Sequence, residues 1–332
     1  MSIRAENSFP KPKAYAARIK DLSKRDLSQS GGLFAALSDT VLREGGVVYG
    51  CAFDESFNAI HMRADTPELR DRMRGSKYIQ SSAKDTYRQA LNDLKAGREV
   101  LYTGTSCQIA GLLSFIGAMR LTDEERSRLY TMDILCHGVP SPLVWQEFLA
   151  WEKDGGREIV DVKSRNKEFG WRSSIVTIWF DDGKRTDSRV FPKMFYQNAI
   201  LRPACYRCPY KDIMHPADIT AADYWGIEKA LPDFDDRKGT SLVLINNEHG
   251  AELFSRSQEG LEIMETDVKV GMQFPLKSPY PRPKNRSRVW KLFYSGDFTR
   301  TARRYGNYGL IGRARGKVRS IIKKRKKKLG KA

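Results

Sequence analysis

A chain of 332 residues with 40% hydrophobic and 30% charged content can bury one large or two modest cores. It has no apolar run of about 18 residues that would cross a membrane. The net charge of +18 suggests nucleic acid until it is located: residues 281–332 carry 19 Lys/Arg and one acid, Asp297, while the rest balances at 39 basic and 39 acidic residues. A uniformly basic nucleic-acid-binding body is thereby excluded, and no specific nucleic acid is expected.

The N-terminal residues lack the apolar stretch of a secretory leader, so the expectation is a cytoplasmic protein. Residues 1–29, polar and punctuated by Pro10 and Pro12, read as an irregular lead-in. From residue 33, Leu33, Phe34, Leu37, Val41 and Leu42 fall on one helical face, and Gly45 is a stop. GVVYGCAF (46–53) and NAIHMR (58–63) read as paired strands. TPELRDRMRG begins with a Thr cap and is a short helix. AKDTYRQALNDLKAG (83–97) is an amphipathic helix. REVLYTG (98–104) is a buried strand running into the helix TSCQIAGLLSFIG, and RLYTMDILCHG (128–138) followed by PLVWQEFLAWEKDGG repeats that pattern.

Beyond residue 155 the character changes. IVDVKSRN, SSIVTIWF and KRTDSRVF read as strands, with Asp182-Gly183 as a hairpin turn. MFYQNAIL reads as a helix, TSLVLIN and LEIMET as strands, and AELFSRSQ as a helix between them. The expected class is α/β: a mixed, largely parallel sheet with flanking helices, plus a more irregular α+β second half. The expected organisation is a lead-in over 1–29, one domain over 30–280 with a subdivision allowed near 155, and a basic tail over 281–332. The tail, ending KVRSIIKKRKKKLGKA, reads as a solvated end or as a contact for an anionic membrane surface, an acidic partner or RNA.

Five cysteines in a reducing compartment point to metal binding or catalysis rather than disulfides. Cys205 and Cys208 form a Cys-x-x-Cys pair, a spacing that lets both thiolates face one metal. Cys107 and Cys136 each follow a buried strand, and in a parallel sheet neighbouring strand ends share the edge where ligands gather. Four thiolates hold either a zinc ion or an iron–sulfur cluster, and spacing does not choose between them. Cys51, in the apolar run VVYGCAF, reads as a small buried hydrophobe.

The segments SGGLFAAL, RGSKYIQS, VLYTGTSCQIAGL, DILCHGVPSPLVW, SRNKEFGW, RPACYRCPYK and ADITAADYWGI stand in that order between residues 30 and 227. With them the chain resembles the beta-subunit family of coenzyme F420 hydrogenase/dehydrogenase. The resemblance implies one FAD and a [4Fe–4S] cluster near its ring, with the cluster held by Cys107, Cys136, Cys205 and Cys208. Many relatives begin with a cysteine-rich ferredoxin module. No cysteine precedes Cys51 here, so an external ferredoxin-like carrier is implied. Where relatives have proline in Gly-Thr-Pro-Cys-Gln, this chain has Ser106.

On that resemblance, Ser30, Gly31 and Gly32 become candidates for the flavin's phosphates or ring edge, since glycines admit close approach and a helix N-terminus attracts anions. Lys77, Tyr78, Gln80 and Ser81 form a polar run suited to the flavin ring or a phosphate. Gly104, Thr105 and Gln108 surround Cys107 and are expected to line the same cavity. His137, directly after Cys136, is the candidate catalytic proton donor. Arg165, Lys167 and Trp171 are candidate contacts for an anionic substrate or a cover for the sheet, and Trp225 is a candidate for shielding the cluster. The expected substrate is a small molecule, with a sugar-type compound as one option by analogy.

Overall fold

The structure is a computed structural model, and it describes residues 8–153, 156–310 and Ala314. In chain order the strands are β1 (Ser8–Ile19), β2 (Val47–Phe53), β3 (Ala59–Ala64), β4 (Val100–Thr105), β5 (Leu129–Ile134), β6 (Ile159–Ser164), β7 (Val176–Phe180), β8 (Arg185–Ser188), β9 (Ile219–Asp223), β10 (Ser241–Asn247) and β11 (Leu261–Thr266). The helices are α1 (Leu22–Asp26), α2 (Leu33–Arg43), α3 (Pro67–Asp71), α4 (Thr86–Lys95), α5 (Ser106–Gly117), α6 (Asp123–Ser127), α7 (Pro142–Glu152), α8 (Val190–Phe195), α9 (Ile227–Ala230), α10 (Glu248–Arg256), α11 (Arg286–Phe293) and α12 (Phe298–Tyr305).

The described chain divides into two interleaved units. The first gathers residues 8–137, 167–172 and 207–279; the second takes 138–166, 173–206 and the described residues from 280 onward. The first unit is built on an eight-stranded sheet in the order β11-β1-β10-β9-β5-β4-β2-β3. Its centre, β9-β5-β4-β2, is parallel. The outer pairings are antiparallel. This is the mixed α/β sheet with flanking helices that strand–helix alternation predicts. The parallel block arises where helices separate successive strands, because only a crossover can return the chain in the same direction.

Both faces of that block are covered, so its strands are apolar on both sides. On β2 and β4, Val47, Tyr49, Val100 and Tyr102 pack against Ala90, Leu91 and Leu94 of α4 and Ile109, Leu112 and Ile116 of α5. The alternate residues Val48 and Leu101 pack against Leu37 and Val41 of α2 and Leu253 and Phe254 of α10. Period-two alternation in the strands therefore sorts side chains into two cores. Each fully buried leucine-sized side chain contributes roughly 1.5–3 kcal/mol.

Residues 8–19, expected to be irregular, instead form β1 inside the sheet, between β10 and β11. Ala14 and Ala16 enter one core while Ala17 and Ile19 enter the other. The prolines that hid this strand fall where its pairing with β10 is interrupted, between Ser8 and Lys13. A missing N–H is tolerated there.

The second unit holds the antiparallel sheet β6-β7-β8. Gly183 turns between β7 and β8 at a φ of 76°. Of the helix expected over MFYQNAIL only Met194 and Phe195 are helical: α8 runs Val190–Phe195, with Pro192 in its first turn, where proline costs little. Residues 286–305, expected as part of a solvated tail, form α11 and α12. In α12 the spacing of Phe298, Thr301, Ala302 and Tyr305 gives a buried stripe. The remaining tail, residues 311–313 and 315–332, lies outside the described residues. Among the described residues no helix is long and apolar enough to cross a membrane.

Candidate functional site

The carboxyl ends of β4 and β5 lie side by side, with Thr105 opposite Ile134, and β9 continues the edge with Ala221 opposite Ile134. Cys107 follows β4 by two residues and Cys136 follows β5 by two, so both leave the same edge of the first unit. The Cys107 thiol is exposed and lies 3.2 Å from the Thr105 hydroxyl. It sits in the first turn of α5. Gln108 fixes this turn. Its Oε1 accepts from Thr105 N and Thr105 Oγ1, both at 3.0 Å. Its Nε2 donates to Ser81 Oγ at 2.9 Å and Ser81 O at 3.2 Å, tying the 78–81 run to the β4–α5 turn.

Cys107 and Cys208 share a neighbour in the first unit. The Tyr210 phenol is held above its ordinary value by burial and then by the negative fields of these two thiols. Cys205 belongs to the second unit, where its N–H donates to Arg202 O at 3.0 Å and it packs beside Gly138. No disulfide joins any of the five cysteines. Cys51 pairs across the sheet with His61, and burial pushes its thiol up, as an inert core cysteine requires.

Several predicted flavin contacts are taken up by the protein itself. Ser30 Oγ donates to Thr240 O at 2.6 Å, and Gly31 N donates to Ser241 Oγ at 3.1 Å. A Cβ on Gly31 would lie 2.2 Å from Ala17 O, so glycine there admits a neighbouring strand. Gly32 enters α2 at a φ of 86° and packs on Ile19. Lys77 Nζ donates to the carbonyls of Arg72, Met73, Arg74 and Gly75 at 2.8–3.4 Å, and burial lowers its pKa to about 8. Lys167 likewise donates to Arg25 O and Ser30 O.

Tyr78 and Gln80 are partly buried beside the buried Ser81, and Gly104 lies next to Gln108 and His61. His137 is partly buried, immediately after Cys136. Trp225 is exposed and stacks on buried Trp171, with ring centroids 5.2 Å apart.

Sequence reasoning missed a buried polar group behind this edge. Asp133 of β5 is 0% exposed, and its Oδ2 lies 2.8 Å from Nδ1 of His215, itself 2% exposed. Ser106 Oγ, in the residue before Cys107, is 3.3 Å from the same nitrogen. The signal was present: an acid in the apolar strand LYTMDI needs a partner, and the chain has only four histidines. Nothing local identified His215 as that partner.

Four cysteine thiolates are a donor set that either a [4Fe–4S] cluster or a single zinc ion takes. Among the described residues no group of three or more His, Cys, Asp or Glu side chains is gathered to hold a metal ion. Of the residues expected at the flavin, Ser30, Gly31 and Lys77 have polar groups bonded within the protein and Gly32 packs on Ile19, while Gln108 and Ser81 are bonded to each other.

The sequence profile of the family described as the C terminus of the beta subunit, coenzyme F420 hydrogenase/dehydrogenase, matches residues 97–269, just over half of the chain. That span includes Cys107, Cys136, Cys205 and Cys208. Among solved structures, a chain of the F420-reducing [NiFe] hydrogenase complex from Methanosarcina barkeri, from a study of its xenon derivatization, is similar in fold. The TM-score is 0.56 at 17% identity, covering 87% of this chain and 94% of that one. No curated protein matches.

Proposed function

The chain belongs to the coenzyme F420 hydrogenase/dehydrogenase beta-subunit family, and from that premise we propose that it is an iron–sulfur flavoprotein oxidoreductase in which Cys107, Cys136, Cys205 and Cys208 hold a [4Fe–4S] cluster. The observation that carries the proposal is the shared sheet edge. Cys107 and Cys136 leave adjacent parallel strands there. Parallel sheets gather ligands at that edge.

When bound, the cluster supplies single-electron transfer and FAD supplies two-electron or hydride chemistry, linking a one-electron carrier to a two-electron small-molecule substrate. The residues of the chain position and tune. The first turn of α5 presents Cys107, and Gln108 locks the β4–α5 turn to the 78–81 run. The flavin contacts in this proposal are Tyr78, Gln80, Ser81, Gly104, Thr105 and Gln108, and His137 donates a proton to the substrate. Electrons come from a ferredoxin-like carrier or a partner protein. The similarity in fold to a chain of a multi-protein hydrogenase complex supports the partner.

The test is anaerobic purification with the visible spectrum recorded and iron, sulfide and flavin quantified. About four irons and one FAD per chain, with absorbance bleached by dithionite, is the expected result. A colourless protein containing zinc and no flavin, even after anaerobic reconstitution, overturns the proposal.

A further inference from the structure

The Asp133–His215 pair is an unusual thing to bury in the first unit. A carboxylate in a central strand loses its water, and it is retained only when another group compensates. His215 compensates through Nδ1, 2.8 Å from Asp133 Oδ2. That assigns the Nδ1 proton to the bond with the carboxylate and leaves a lone pair on Nε2. This Nε2 is buried and has no hydrogen-bond partner among the described residues, and neither has Asp133 Oδ1. A carboxylate behind one nitrogen makes the other more basic. The result is a strong, desolvated base with a free position.

Its place in the chain gives that base a use. Ser106, which touches His215 Nδ1, precedes Cys107. Asp133 stands three residues before Cys136, and His215 follows Cys208 in the loop that leads to β9. The pair is thus tied to the three segments of the first unit that carry a cysteine of the proposed cluster. The charged groups that act on the imidazole include Asp133 from β5 and Asp212 and Lys211 from its own loop, and Ser106 of α5, next to the titratable Cys107, touches it. Lys211 is 6% exposed, and its ammonium has no hydrogen-bond partner among the described residues.

We infer that His215, backed by Asp133, takes up one proton at Nε2 when the cysteine-held centre takes up one electron, and releases it when that electron leaves. The electron comes from the one-electron carrier and the proton from solvent, so one negative and one positive charge are added together. The physical drive is Coulombic. In a buried region an added negative charge raises the proton affinity of a nearby base by far more than it would in water. Burial alone would lower the His215 pKa, but the field and hydrogen bond of Asp133, with Asp212, outweigh it and raise the value against the opposition of Lys211. The inference rests on the [4Fe–4S] assignment made above.

The test is an anaerobic redox titration of the full-length, cluster-loaded protein with dithionite, read by the cluster's absorbance between about pH 6 and 9, a range that brackets an imidazole. The expected result is a tenfold shift in the reduction equilibrium per pH unit over part of that range, about 59 mV for one electron. His215→Gln should bind the cluster and lose the slope. Asp133→Asn should weaken it, and serves as the second variant if His215→Gln fails to fold. A pH-independent midpoint in the wild type, or a slope that survives in His215→Gln, overturns the inference while leaving the cluster in place. A wild-type chain that binds no cluster overturns the proposed function itself, and this inference with it.

Discussion

Ser30–Gly32 leads into α2 and Gly104–Cys107 leads into α5, and in sequence the two are alike: small polar residues ahead of an apolar helix. In the structure they differ in what consumes their polar groups. At the first, the hydroxyl and the N–H are bound by Thr240 and Ser241, and the glycine surface is pressed against β1. At the second, Gln108 caps the turn from within and the Cys107 thiol stays exposed. A glycine-rich approach to a helix is thus equally a device for packing strands and a device for presenting a ligand. The difference lies in whether backbone or solvent faces it.

The largest effects should separate these two sites completely. Cys107→Ser should abolish bound iron while leaving the stability of the apoprotein within about 0.5 kcal/mol, since the side chain is exposed. Gly31→Ala should do the reverse, retaining iron while costing about 3 kcal/mol by denaturant unfolding, because its Cβ would meet Ala17 O at 2.2 Å and Ser241 N at 2.7 Å. If Gly31→Ala is instead stable and loses flavin, the comparison is reversed and the first site binds the cofactor. Cys51→Ser should leave iron content unchanged.

A buried acid whose bonds are complete sharpens the contrast with Asp133. Asp218 accepts from Thr131 N at 2.7 Å, Thr131 Oγ1 at 2.6 Å and Asn247 Nδ2 at 2.7 Å. Asp218→Ala should therefore cost about 3 kcal/mol and leave redox behaviour unmoved. Burial would raise the Asp218 pKa, but the nearby His249 and the bonds from Thr131 and Asn247 lower it below 3.8. Its contribution is then present above 3.8 and is lost as pH falls through the lower folded value. Burial would lower the His249 pKa, but Asp218, Ser127 O and Glu252 raise it above 6.5. That contribution is complete below 6.5 and is lost as pH rises through the folded value. His249→Asn should flatten the alkaline decline in a stability–pH profile. An unchanged decline would assign it to other groups.

The smallest effect expected is at Gln108. Gln108→Ala removes the acceptor for Thr105 N and the donor to Ser81, costing about 1 kcal/mol in thermal unfolding. A larger loss of flavin than of stability would mark the residue as a cofactor contact as well as a cap.

Local pattern alone determined a good part of this protein. Alternating apolar strands and periodic helices across residues 46–152 specified the parallel core, because each helix long enough to cross the sheet brings the next strand back in the same direction. The same pattern put Cys107 and Cys136 at strand ends, and composition located the excess charge. Tertiary structure decided what pairs across distance. β1 became a strand because β10 and β11 lie on either side of it, which no propensity over its prolines announces. His215 became the partner of Asp133 across 82 residues of chain. Lys77, Ser30 and Gly31 turned inward because carbonyls and strands face them. Periodicity records which side of an element is apolar. Which group will meet a polar atom there depends on the element that packs against it, and that is set only when the chain is folded.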